Sequence, residues 1–277
     1  MRGLAVILAL LPCAALAQDP VVPAFADETV SSGLAHRFSG EWTFMVGGGA
    51  AAFDCNGDLK PELFMAGGTA KAQLFRNDSA VGGALAFAPV QSGLEVDSVA
   101  GGYPVDIDSD GITDLVLLRV GQDKVMRGLG ACRFEEATDW GFDGLDLWST
   151  AFAATWERGA EWPTLAIGTY IDRTQEAFPW GTCTPNHLYR PKGKGWDAPL
   201  PLKPGFCALS ILFTDWNLSG TPSLRKVTTS NTEHFVQGGV SSDYDRKIAI
   251  ANALLNTVST SSDLYCAYFL VNGYTEA

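Results

Sequence analysis

Histidine is almost missing from this chain. It has three in 277 residues, His36, His187 and His234. No two are close in sequence and none adjoins a serine or cysteine in a nucleophile motif, so each is expected to be structural or on the surface. G-x-S-x-G and H-E-x-x-H, the local signatures of serine hydrolases and zinc proteases, are absent as well. Basic charge is also short. With 19 Lys and Arg against 31 Asp and Glu, the formal net charge is −12, which excludes a nucleic-acid partner, because binding phosphate needs a basic surface. No stretch after the N-terminus approaches the roughly 20 apolar residues of a transmembrane helix. All 8 Trp and all 14 Pro precede Lys226, so the last 52 residues contain neither.

What the chain does have is glycine (30), aromatic residues (11%) and few charges (18%). That mixture suits many short strands joined by tight turns. Arg2 precedes an apolar run from Leu4 to Leu16, and Ala15-Leu16-Ala17 before Gln18 is an A-x-A cleavage site. A signal peptide over residues 1–17 is expected, with a secreted or periplasmic mature chain. Pro12 directly before Cys13 argues against lipid attachment at that cysteine.

Asp106–Leu118 reads DIDSDGITDLVLL. Asp106, Asp108 and Asp110 alternate, Gly111 follows, and Asp114 closes the loop before an apolar run. Clustered carboxylates repel one another, and hard oxygen ligands at alternating positions around a tight turn suit Ca²⁺. An EF-hand is excluded, because its twelfth position needs a bidentate Glu and here holds Leu117. The inferred ligands are Asp106, Asp108, Asp110, the Ile112 carbonyl and Asp114; the alternative is a solvated acidic turn. A second copy, DCNGDLKPELF from Asp54, places Asp54, Asn56, Asp58 and Glu62 at loop positions 1, 3, 5 and 9, with the Lys60 carbonyl at 7. Leu59 stands there in place of Gly111.

The two loops lie 52 residues apart, and two weaker copies follow. Thr155–Leu165 (TWERGAEWPTL) keeps the flanking strands but not the acids, with Thr155 and Arg158 aligned in their place. Asp215–Leu224 (DWNLSGTPSL) keeps Asp215, Asn217 and Ser219 as weaker metal candidates, with Ser223 replacing the closing acid. Short apolar segments between the loops leave room for about four strands per ~50 residues, the size of a β-propeller blade. The expected domains are a lead-in over 18–39, blades over 40–225, and an atypical tail over 226–277. Periodicity stops near Arg225, so the tail is expected to be foreign to the repeat.

Five cysteines remain after signal cleavage, and in an exported chain bridges are expected. Cys183 and Cys207 bracket a proline- and glycine-rich loop and are expected to pair. Cys55 with Cys132 comes next, leaving Cys266 odd. The prolines between Thr169 and Gly205 are expected to block regular pairing. That segment also gathers Trp180, His187, Tyr189, Arg190 and Trp196, either as a binding loop or as a covering flap.

FDCNGDLKPELFMAGGTAKAQLFRND (53–78), DIDSDGITDLVLLR (106–119) and LSILFTDWNLSGTPSLR (209–225) together resemble FG-GAP/VCBS-repeat proteins, in particular the group related to cartilage acidic protein and the ASPIC/UnbV proteins. The resemblance implies an all-β, secreted, seven-bladed propeller of the integrin-α type with Ca²⁺ in its inter-strand loops, of which about four blades are present. It also implies the same acidic ligands in the two loops. Leu59, the acid-free third loop and the depleted fourth depart from the pattern, and the ASPIC/UnbV C-terminal segment is not recognisable. The function expected is a calcium-binding adhesion module for an extracellular protein or glycan. The alternatives are a calcium-assisted polysaccharide hydrolase or lyase and an inactive, truncated propeller. Glu135-Glu136 and Asp143/Asp146 are the carboxylate pairs outside the loops, expected to be solvated charges.

Overall fold

Leu115-Val116-Leu117-Leu118 is apolar at every position, so a strand there must bury both faces. A computed structural model of the protein, describing residues 26–175, 182–215, 218–228 and 234–236, shows how. Strand neighbours pair antiparallel throughout, and successive strands form meanders. Blade 1 comprises β1 (Ala50–Phe53), β2 (Glu62–Met65), β3 (Gln73–Asn77) and β4 (Phe87–Val90) in that spatial order. Blade 2 comprises β5 (Val99–Val105), β6 (Asp114–Gln122), β7 (Lys124–Gly128) and β8 (Phe134–Glu136). Blade 3 comprises β9 (Asp146–Thr155), β10 (Thr164–Thr169), β11 (Asn186–Tyr189) and β12 (Leu200–Leu202). The fourth sheet has β13 (Ala208–Thr214), β14 (Ser223–Thr228) and β15 (His234–Val236), with Leu224 opposite Val236. The only helical elements among the described residues are single 3₁₀ turns at Trp42–Phe44 and Thr138–Trp140.

The architecture is all-β, a row of β-propeller blades stacked face to face. On β6, Leu115 and Leu117 join Phe53, Phe64, Leu74 and Met126 in the core between blades 1 and 2. Val116 and Leu118, facing the other way, join Ile107, Val125, Leu165 and Ile167 between blades 2 and 3. Ala151 and Ala166 meet Ile211 and Leu224 between blades 3 and 4. The far end of β6 also pairs with the start of β9, Val120 opposite Trp148, so blades 2 and 3 share one sheet there. The lead-in closes on blade 1: Ser32 C=O accepts from Phe87 N–H at 2.7 Å, and a His36 ring nitrogen lies 2.9 Å from Ala66 C=O.

The expectation that proline blocks pairing between Thr169 and Gly205 is corrected. β11 and β12 lie inside that segment, and Pro201 sits in β12, an edge strand whose missing N–H costs no ladder bond. His187, Tyr189 and Trp196 are all buried, so this region is core rather than an exposed binding loop. Tyr189 donates its hydroxyl to the Asp143 carbonyl at 2.7 Å, and Trp196 donates Nε1–H to the Pro163 carbonyl at 2.9 Å. Trp180 lies outside the described residues, as do the signal peptide, Cys266 and most of the tail.

Both expected disulfides are present, Cys55–Cys132 and Cys183–Cys207. Cys55–Cys132 joins blade 1 to blade 2, and Cys183–Cys207 joins blade 3 to the residue before β13.

Candidate metal centre

Each blade's first two strands are joined by a loop of the same length. The pairs that close it are Phe53 with Glu62, Val105 with Asp114, Thr155 with Thr164, and Thr214 with Ser223. This confirms the register of the first, second and fourth loops and corrects the third by one residue. Trp156, not Thr155, stands where Asp54 and Asp106 stand, and Thr164 takes the place of the closing acid. With no carboxylate at position 1, sequence alignment had nothing to anchor on.

The backbone conformation of the loops repeats too. Position 4 has positive φ in the first, second and fourth loops, at Gly57, Ser109 and Leu218, and position 6 does so at Leu59, Gly111 and Gly220. The carboxylate at position 1 stabilises that shape by accepting the N–H of position 6. The distances are 2.8 Å for Asp54 and Leu59, 3.0 Å for Asp106 and Gly111, and 2.7 Å for Asp215 and Gly220.

In the second loop, carboxylate oxygens of Asp106, Asp108 and Asp114 lie within 4.8 Å of one another. Asp106 Oδ1 is buried and has no hydrogen-bond partner. A buried acceptor left unpaired among like charges is costly, and a hard cation is the group that would satisfy it. The donor set of clustered carboxylate oxygens fits Ca²⁺. Asp114, 1% exposed, accepts N–H from Ile107 (2.9 Å) and Gly128 (2.8 Å). Its pKa is pushed up to about 6: burial raises it, those two N–H donors oppose the rise, and the charges of Asp108 and Asp110 add to it. Asp110 lies outside the three-carboxylate cluster and accepts the Ile112 N–H at 2.7 Å. The Ile112 residue itself is half-buried, at loop position 7.

The first loop is held more tightly by its own backbone. At Asp54 the cost of desolvation is outweighed by N–H donors from Leu59, Gly57 and Asn56, which hold the carboxyl below its ordinary range. Glu62 is fully buried. It accepts the Cys55 N–H at 3.0 Å and the Asn56 amide at 3.2 Å, and among the described residues no cation lies within ion-pair distance of it. Asp58 accepts the Lys60 N–H at 2.9 Å and pairs with the Lys60 ammonium at 3.4 Å. The Asn56 amide thus links position 3 to the closing acid at position 9, and the donor types at positions 1, 3, 5 and 9 are the oxygen groups that suit Ca²⁺.

The third loop carries its own counter-charge, which sequence reading missed. Glu157, at position 2, accepts the Thr164 hydroxyl at 2.6 Å and pairs with Arg190 at 3.1 Å, so a guanidinium just after β11 stands near a loop that lacks the acids of the first two. In the fourth loop the Asp215 carboxylate accepts the Ser219 N–H at 2.8 Å, while Asn217 lies outside the described residues. Of the carboxylate pairs outside the loops, Glu135 pairs with Arg127, Glu136 with Lys124 and Asp146 with Arg173, while Asp143 accepts the Leu145 N–H at 3.3 Å.

Residues 54–117 match the family profile of the FG-GAP-like repeat. The match covers the first two acidic loops and the strands around them. No curated protein matches the chain. Among solved structures, a crystal structure of BBS1N in complex with ARL6DN, soaked with lead, is similar at 12% identity and a TM-score of 0.41, covering 70% of this chain and 52% of that one. The chain thus spans about half the length of that neighbour.

Proposed function

We propose that the chain is an exported propeller module that binds an extracellular protein or glycan, with Ca²⁺ as a structural ion in its first two acidic loops. The observation that carries this reading is the second loop, where three carboxylates converge and Asp106 Oδ1 is buried without a partner. Asp106, Asp108, Asp110, Asp114 and the Ile112 carbonyl are the proposed ligands there, and Asp54, Asn56, Asp58, Glu62 and the Lys60 carbonyl in the first loop. A bound Ca²⁺ supplies positive charge that offsets carboxylate repulsion. The protein's part is to present preformed loops, with position 1 fixed by the N–H of position 6. A relation to the cartilage acidic protein and ASPIC/UnbV group belongs to the same proposal.

A non-enzymatic role is supported by Glu135, Glu136 and Asp146, each ion-paired to an Arg or Lys, and by Asp143, which accepts a backbone N–H in its own turn. Cell fractionation with N-terminal sequencing tests export, with Gln18 as the expected first residue. Isothermal titration calorimetry with Ca²⁺ tests the loops: two sites are expected, and one should vanish on Asp108→Asn. An isotherm without heat above dilution would overturn the calcium reading. Glycan and protein binding screens with and without Ca²⁺ then test the module, and turnover of a polysaccharide would replace it with the enzymatic alternative.

A further inference from the structure

Cys55 occupies position 2 of the first acidic loop, and its bridge partner Cys132 belongs to the turn between β7 and β8 in the next blade. Four contacts make the bridge a wall of the loop rather than a distant staple. Glu62 Oε2 lies 3.2 Å from Cys55 Sγ and 3.6 Å from Cys132 Sγ, and bridged sulfurs carry no proton, so these are packing contacts. The Cys55 backbone N–H donates to that same oxygen at 3.0 Å. The Cys132 N–H donates to the Cys55 carbonyl at 3.0 Å, from a backbone held at φ +57°. Glu62 is fully buried, with one oxygen held by the Cys55 N–H beside the bridge and the other by the Asn56 amide. The second loop has no counterpart, since Ile107 fills position 2 and the Gly128 N–H holds Asp114 from within the same blade.

We propose that the Cys55–Cys132 bridge is a positioning element for the first loop, fixing Glu62 from across the blade junction, so that the loop's cation affinity depends on the bridge being oxidised. The inference rests on the calcium reading above. A dithiol reductant delivers two electrons and two protons to the bridge, leaving two thiols on the protein and a cyclic disulfide on the reductant. The thiols then offer S–H donors to Glu62 Oε2 and free Cys55 from Cys132. Both changes draw the carboxylate away from a cation. Loss of such supporting contacts typically lowers metal affinity about 10- to 100-fold. By linkage, a cation in the loop must make the bridge harder to reduce by the same factor.

The test uses the full oxidised chain carrying Asp108→Asn, so that the first loop is the site titrated. Calorimetry first establishes Ca²⁺ binding. Graded dithiothreitol, thiol alkylation and mass spectrometry then follow each bridge with and without saturating Ca²⁺. The half-reduction point of Cys55–Cys132 is expected to rise about 10- to 100-fold with Ca²⁺, while Cys183–Cys207 stays put. Glu62→Gln, which keeps the bridge, is expected to abolish the shift. A chain that binds Ca²⁺ yet shows no shift, or shifts both bridges equally, overturns the proposal. A chain that binds none overturns the reading of the loops, and this inference with it.

Discussion

Asp123, 4% exposed between β6 and β7, accepts the Arg119 N–H at 2.7 Å and the Ser149 hydroxyl at 2.6 Å. Burial pushes its carboxyl well above the ordinary range, against those hydrogen bonds and the Arg119 charge. The folded chain therefore holds a proton that the unfolded chain has released, over the interval from the ordinary carboxylate range to the raised value. Stability falls as pH rises through that interval and levels off above it. Asp123→Asn mimics the protonated group and is expected to flatten the dependence of Tm on pH and raise Tm at neutral pH; an unchanged slope would count against this. Leu59 is a second residue-scale case. It is 91% exposed and held at φ +66° in the position that Gly111 and Gly220 fill elsewhere. The left-handed conformation costs a residue with a Cβ roughly 1–2 kcal/mol. Leu59→Gly should therefore stabilise the chain by about 1 kcal/mol, measured by urea unfolding. Both acidic loops were legible at this scale because acids and asparagine recur at alternate positions around a tight turn. The Glu157–Arg190 pair was not, since its 33-residue separation has no local signature.

The strands were legible where burial pattern and turn residues agreed. Gln73–Asn77 matches β3, and Lys124–Leu129 contains β7. The run at 115–118 marks β6, though not its extension to Gln122, where it leaves its own blade to pair with β9. Inter-blade pairing of that kind has no periodicity to read. The outer strands of blade 3 were missed because proline removes a donor, which matters in a central strand but not at an edge. β6 is the element on which two cores depend. Leu117→Ala, at a fully buried position between blades 1 and 2, is expected to cost about 2–5 kcal/mol in denaturant unfolding. A cost below 1 kcal/mol would mean that the core between these blades is not packed as described.

Across the molecule, blades stack by close approach of their inner strands. Gly49 and Gly101 bring backbones together, a Cβ at Gly49 meeting the Gly101 Cα at 3.1 Å, and a Cβ at Gly102 would overlap the buried Phe64 ring. Gly102→Val should therefore loosen blade 1 from blade 2, read as faster proteolysis and a lower Tm. The repeat length and the family resemblance led to a propeller, and both bridges were paired from spacing and compartment. That each bridge links one blade to the next was beyond sequence, since it depends on which turns the stacking brings together. The central claim is that the acidic loops carry Ca²⁺ and that blade stability depends on it. Thermal unfolding in excess Ca²⁺ and then in chelator tests this most directly. A ligand at about 100 times its Kd adds about 2.7 kcal/mol per site, so Tm should drop by about 5–10 °C for each loop emptied by chelation. Asp108→Asn should shrink that drop. A cooperative transition at the same Tm in both conditions would contradict the account and return the loops to acidic turns.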